Sequence, residues 1–148
     1  MAGAAARDLA TKEKLQDEEL LSLNNVLFQA IGAGDFETYQ YICDEKLSCF
    51  EPEAKGHLVT GLDFHKYYFE YNKVPDSEKA PPAKRPRTSI SAPQITWLAD
   101  RRAAVVCFKR LVQNGPATTT TEETRVWEFV QTKKQWKLVH FHRSPGAS

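Results

Sequence analysis

Residues 105–143 read VVCFKRLVQNGPATTTTEETRVWEFVQTKKQWKLVHFHR, and this stretch decides the fold. Val105, Val106, Phe108, Leu111 and Val112 belong to one strand. Asn114-Gly115 is a turn signal, because both residues tolerate the left-handed backbone that tight hairpins need. Thr118 to Val130 is a second strand, rich in threonine and ending in RVWEFV. Lys133-Lys134-Gln135 turns the chain again, and Trp136 to His142 is the third strand. Consecutive strands joined by short turns form an antiparallel meander.

Period-two alternation then sorts side chains between the two faces of the sheet. Val106, Phe108, Arg110 and Val112 share one face of the first strand. Arg125, Trp127 and Phe129 share one face of the second, and Val139, Phe141 and Arg143 one face of the third. Each strand therefore places an arginine among large apolar residues. A guanidinium does not lose its proton, so each must be solvated or paired. The pattern leaves three outcomes open: arginines reaching solvent at strand ends, ion pairs with Glu51, Glu53, Asp63 or Glu123, or a bound anion matched to the guanidinium fork. The opposite face is expected to carry Val105, Cys107 and Leu111 on the first strand, and Trp136, Leu138, His140 and His142 on the last. One helical layer covers only one face, so Leu111, Trp136 and Leu138 are expected at a contact between subunits.

Upstream of the meander the periodicity is helical. Leu20, Leu23, Leu27, Ala30 and Ile31 recur at three- and four-residue steps, and Leu21 and Phe28 widen the stripe. Gly32-Ala33-Gly34 ends this helix, and Asp35 is the expected N-cap of a short helix from Phe36 to Cys43. Leu47 to Phe50 reads as a strand. Gly61 and Asp63 open a third helix, aromatic nearly all round and expected to pack on two sides. Residues 1–12 read as a loose tail, 13–144 as the folded domain, and 145–148 as a second tail. Residues 72–88 form a long loop whose VPDSEKAPPAKRPR run has four prolines and no periodicity. Its basic end, Lys84-Arg85-Pro86-Arg87 beside Thr88 and Ser89, has the composition of a solvated loop, a nuclear address or a phosphorylation target. Helices first and strands last give an α+β domain, a long helix laid on a curved antiparallel sheet.

The bulk numbers set limits. The 148 residues are 41% hydrophobic and 26% charged, with net charge +1. That balance supports a core and gives no field favouring nucleic acid or an anionic membrane. No apolar run approaches the roughly 20 residues of a bilayer span, and the N-terminus has no signal core. Cys43, Cys49 and Cys107 fit no metal spacing and read as reduced thiols of an intracellular, cytoplasmic protein. His140 and His142 share a face but gain no third ligand by spacing. No cofactor, metal or catalytic motif is expected.

Four segments carry a resemblance: GDFETYQYICD at 34–44, FEPEAKGHLVTGLDFHKYYFE at 50–70, EETRVWEF at 122–129 and VHFHRS at 139–144. With the leading helix they span about residues 15–144, and the chain resembles the association (hub) domain of calcium/calmodulin-dependent protein kinase II. The resemblance implies a nuclear transport factor two-like cone and a non-catalytic module assembling as stacked rings of dimers, with twelve or more subunits. It implies partnership with itself or with other hub-bearing chains. It also implies a pocket for small carboxylates at Tyr39, His65, Arg110, Arg125 and Arg143, with Glu51 and Glu53 as candidate partners. The 148 residues read as hub alone, without a kinase domain or calmodulin-binding segment. Where the family carries a mobile tryptophan, this sequence has Tyr71-Asn72-Lys73, followed by a longer loop. The turn at Asn114-Gly115 is shorter than in the family, and Arg101-Arg102 replaces an acidic turn; both departures bear on ring size. The cone fold is also similar to small isomerases and cyclases, for which His65 is the candidate base.

Overall fold

The computed structural model describes residues 2–146. Helix α1 runs from Ala2 to Ala33. Residues 2–12, expected as a loose tail, extend it as an exposed arm, because an alanine-rich run has the highest helix propensity. Leu20, Leu27, Phe28 and Ala30 are buried on the expected stripe, and so is Asn24 in its middle. Gly34 ends the helix at φ 70°, with the Asp35 amide donating to the Ala30 carbonyl at 2.8 Å. That is the left-handed cap that glycine adopts without strain. The Asp35 side chain accepts from the Thr38 amide at 3.0 Å and opens α2, Phe36–Ile42.

Six strands follow: β1 Cys43–Phe50, β2 Val59–Thr60, β3 Arg87–Leu98, β4 Ala103–Asn114, β5 Ala117–Val130 and β6 Gln135–Pro145. Their order in the sheet is β2-β1-β6-β5-β4-β3. β4 to β6 form the expected antiparallel meander, β3 adds an unexpected antiparallel strand along β4, and β1 joins in parallel along β6. β3 is an edge strand and mostly exposed, with a register shift between Ser91 and Gln94 that spans Pro93. Edge position and a bulge are where a sheet tolerates proline, and they erase the alternation a sequence reading needs. Helix α3, Asp63–Tyr71, lies between β2 and the 72–86 segment. It packs on one side rather than two: His65 is buried, whereas Tyr67 and Tyr71 are 60% and 74% exposed and stack on each other.

Registers settle the faces. Ala104, Trp127 and Leu138 lie in one row, and Val106, Arg125 and Phe141 in the next, all on the concave face under α1. Between these rows the β5–β6 register shifts, and Val139 is the extra residue. A bulge inverts the parity of everything before it on its strand. Leu138 and Trp136, expected on the convex face, therefore turn inward. Leu138 is fully buried, and Trp136 packs against Phe129 and Trp97. Leu111 keeps the convex face with Val105, Cys107 and Val126. Leu47 and Cys49 of β1 complete the core with Phe28, Phe108 and Trp127. Full burial of each large apolar side chain contributes about 1.5–3 kcal/mol.

The β3–β4 turn clamps α1 just past its exposed arm. The Arg101 guanidinium lies 4.1 Å over the Trp97 ring and reaches Asp17 at 3.2 Å, while the Trp97 indole donates to Asp17 at 2.8 Å. No described helix is long and apolar enough to cross a membrane.

Candidate functional site

Between the sheet and the helices α2 and α3 lies a cavity of about 250 Å³. Neighbouring strands deliver its cations. Arg125 is set by β5, Arg110 by β4 and Arg143 by β6, and the pairing of Phe108, Glu123 and Arg143 puts Glu123 among the three. Glu123 Oε1 accepts from Arg125 Nη2 at 2.6 Å, and its Oε2 lies 3.0 Å from Arg110 Nε. The second contact is an ion pair without hydrogen-bond alignment, since Arg110 Nε finds no aligned acceptor. Arg143 Nη2 donates to Glu53 at 2.5 Å and to Glu51 at 3.3 Å. Both glutamates are presented by the single 3-10 turn after β1, Pro52–Ala54.

Three guanidinium groups thus face three carboxylates, and the pairing is incomplete. Arg125 is 2% exposed, and its Nη1 has no hydrogen-bond partner among the described residues. Aromatic faces support the cations from beneath. The Phe28 ring lies 4.8 Å from the Arg110 guanidinium and 4.9 Å from that of Arg125, and the Phe141 ring lies 5.0 Å from the latter.

Tyr39 of α2 and His65 of α3 close the opposite wall. The Tyr39 hydroxyl is 3.3 Å from His65 Nδ1, and Cys49 Sγ is 3.7 Å from His65 Nε2. Burial, with Arg125 adding to it, pushes the His65 imidazolium down to about 4, so the ring is neutral at neutral pH. Burial also lowers Arg110 to about 10, against the pull of Glu123. Burial acts to raise Glu123 and Glu53, but the arginines outweigh it and hold both below the ordinary carboxylate value. Glu51 is raised, burial outweighing Arg143.

Tyr39, His65, Arg110, Arg125, Arg143, Glu51 and Glu53 all line this one cavity. Asp63, the other acid considered from sequence, is exposed on α3 and stays out of it. The sequence reading missed the rim formed by Ile31, Tyr68, Phe69 and Asn72, and it missed Cys49, which touches His65 from outside the cavity lining. Cys49 carried a signal: it alternates with Leu47 along β1, which fixes its face. Cys49, Glu51 and His65 offer sulfur, oxygen and nitrogen atoms within 4.8 Å of one another. Burial pushes the thiol up to about 12, and the Arg125 and Arg143 charges oppose a cation beside it. His140 is engaged elsewhere, with its Nδ1 2.7 Å from the Ser48 hydroxyl on the convex face.

The family model of the calcium/calmodulin dependent protein kinase II association domain matches residues 16–147. The calcium/calmodulin-dependent protein kinase type II alpha chain of Drosophila melanogaster is 43% identical over 135 residues, 88% of this chain and 24% of the fly protein. The chain therefore spans about a quarter of the length of the curated relatives it matches. The hub homology domain of the kinase from Chlamydomonas reinhardtii superposes with a TM-score of 0.77 at 42% identity, over 88% of this chain and 98% of the other. The hub from S. rosetta gives 0.72 at 38% identity, over 87% and 95%. A nuclear transport factor two-like protein from Cytophaga hutchinsonii gives 0.67 at 18% identity, over 88% and 98%, and shares the fold alone.

Proposed function

This chain belongs to the calcium/calmodulin-dependent protein kinase II association-domain family, and from that premise we propose a non-catalytic hub that stacks into rings of dimers and holds a small carboxylate in its arginine cavity. The observation that carries the ligand reading is the convergence of Arg110, Arg125 and Arg143 on one cavity, with Arg110 Nε and Arg125 Nη1 left without a hydrogen-bond partner among the described residues. A buried donor left unsatisfied costs about 1–3 kcal/mol, and a carboxylate in the cavity supplies acceptors in the geometry a guanidinium prefers. The convex face around Leu111 is the proposed contact between subunits, because Val105, Val126 and Leu111 are only partly covered there. Other hub-bearing chains are compatible partners for the same face. A cytoplasmic setting agrees with three cysteines that are all unbridged.

Binding is favoured over turnover. A base must compete for a proton, and His65, held near 4, has little affinity for one. The three cavity carboxylates are all engaged by arginines, so none of them stands free as a second acid–base group. An isomerase or cyclase that used His65 would therefore lack its partner.

The double variant Arg110→Ala/Arg143→Ala tests the site. Small carboxylates should raise the melting temperature of the parent protein and leave the double variant unchanged. Equal stabilisation of both refutes the cavity assignment. Product formed from carboxylate or ketone substrates, and lost in His65→Ala, would favour the enzyme instead.

A further inference from the structure

Beyond the arginine cavity lies a larger chamber of about 710 Å³, roofed by the segment that follows α3. The two spaces share Ile31, Tyr68, Phe69 and Asn72 in their walls, so they lie side by side. Their chemistry differs. The inner floor is charged, whereas the outer chamber is faced mainly by Ile31, Phe69, Val74, Pro75, Ala80 and Pro86, with Lys73 and Glu78 at its exposed edge. Of its two acids, Asp76 is tied to Lys79 at 2.8 Å. Arg85, from the basic run at the loop's end, is turned to its own loop, with Nε donating to the Ala80 carbonyl at 2.9 Å. A run of prolines leaves this roof few unfolded conformations to lose, which favours a shaped wall over a fluctuating one.

We propose that the two spaces form one site for an elongated carboxylic acid, its carboxylate among the arginines and its unbranched apolar stem lying past Ile31 and Phe69 beneath residues 74–86. The inference rests on the carboxylate reading above and adds the length and polarity of the ligand. A short acid fills only the inner cavity. The combined space falls in the range of drug-sized sites, which are apolar with a few convergent polar groups. A cationic floor beneath mainly apolar walls selects a molecule with one anionic end.

The test is calorimetric titration of the whole assembled protein with the unbranched acids from propionate to decanoate, and with decanol. Affinity should tighten about three- to fourfold per added methylene, as burial at about 0.8 kcal/mol each requires, until the outer chamber is full. Decanol should bind far more weakly than decanoate. Val74→Asp, a change at a half-exposed wall residue, should leave propionate binding intact and abolish the gain with length. If propionate binds and affinity is flat with length, the elongated site is overturned while the carboxylate reading stands. A gain with length that survives Val74→Asp, or decanol binding as well as decanoate, also overturns it. If no acid binds, the carboxylate reading itself fails and takes this inference with it.

Discussion

Glu123 and Arg125 meet at 2.6 Å on the same face of β5, two residues apart, with the carboxylate fully buried. The pair sits among cations that outnumber its own acid, since Arg110 leans on the same carboxylate at 3.0 Å. Glu123 is therefore the built-in anion of the arginine cluster, and under the proposed carboxylate reading it competes with the ligand for the same partners.

Glu123→Gln should lower the stability of the unliganded protein by about 3–5 kcal/mol, the usual cost of stranding buried charge. The same change should tighten carboxylate binding, because an added anion then replaces the lost one. Urea unfolding with and without acetate reads both effects. A variant that loses stability but gains no affinity would show that Glu123 serves packing alone.

Acidification should weaken the fold through His65. Its imidazole takes up a proton near 6.5 when unfolded but only near 4 when folded. Between those values the unfolded chain binds more protons, so stability falls as pH falls, by up to about 3 kcal/mol. Glu51 titrates in the opposite sense, since its buried carboxyl is raised and holds a proton more tightly when folded. In His65→Gln the loss between pH 6.5 and 4 should shrink or vanish. An unchanged slope would place the pH dependence elsewhere.

Leu138 and Leu111 should separate folding from assembly. Leu138→Ala removes a fully buried side chain and should cost about 2–5 kcal/mol, with the subunit number unchanged. Leu111→Asp places a charge on the convex face and should break the assembly into smaller species that keep their circular dichroism spectrum. If Leu138→Ala dissociates the oligomer without loss of stability, the inward placement of β6 before its bulge is wrong.

The concave face of β4 and β5 was legible because alternation there runs without interruption from Val106 to Arg110 and from Arg125 to Phe129. The same rule misplaced Trp136 and Leu138, because a single bulged residue, Val139, has no signature of its own and inverts the count behind it. β3 was hidden for a related reason: an exposed edge with serine, threonine and proline has no apolar period. The parallel seam of β1 on β6 joins residues some ninety positions apart, which local pattern cannot encode. Tyr39 and His65 sit on short helices whose approach is set by that seam. They entered the site reading through resemblance to a family rather than through spacing. The buried Asn24 was invisible in another way: its polarity removed it from an apolar stripe that it occupies geometrically.

Self-association is the central claim, and a native mass spectrum of the full chain at micromolar concentration tests it most directly. The subunit mass is 16.8 kDa. Assembly as a closed double ring predicts a dominant species of twelve or more subunits, at about 200 kDa or above. A spectrum dominated by the 16.8 kDa monomer would contradict it.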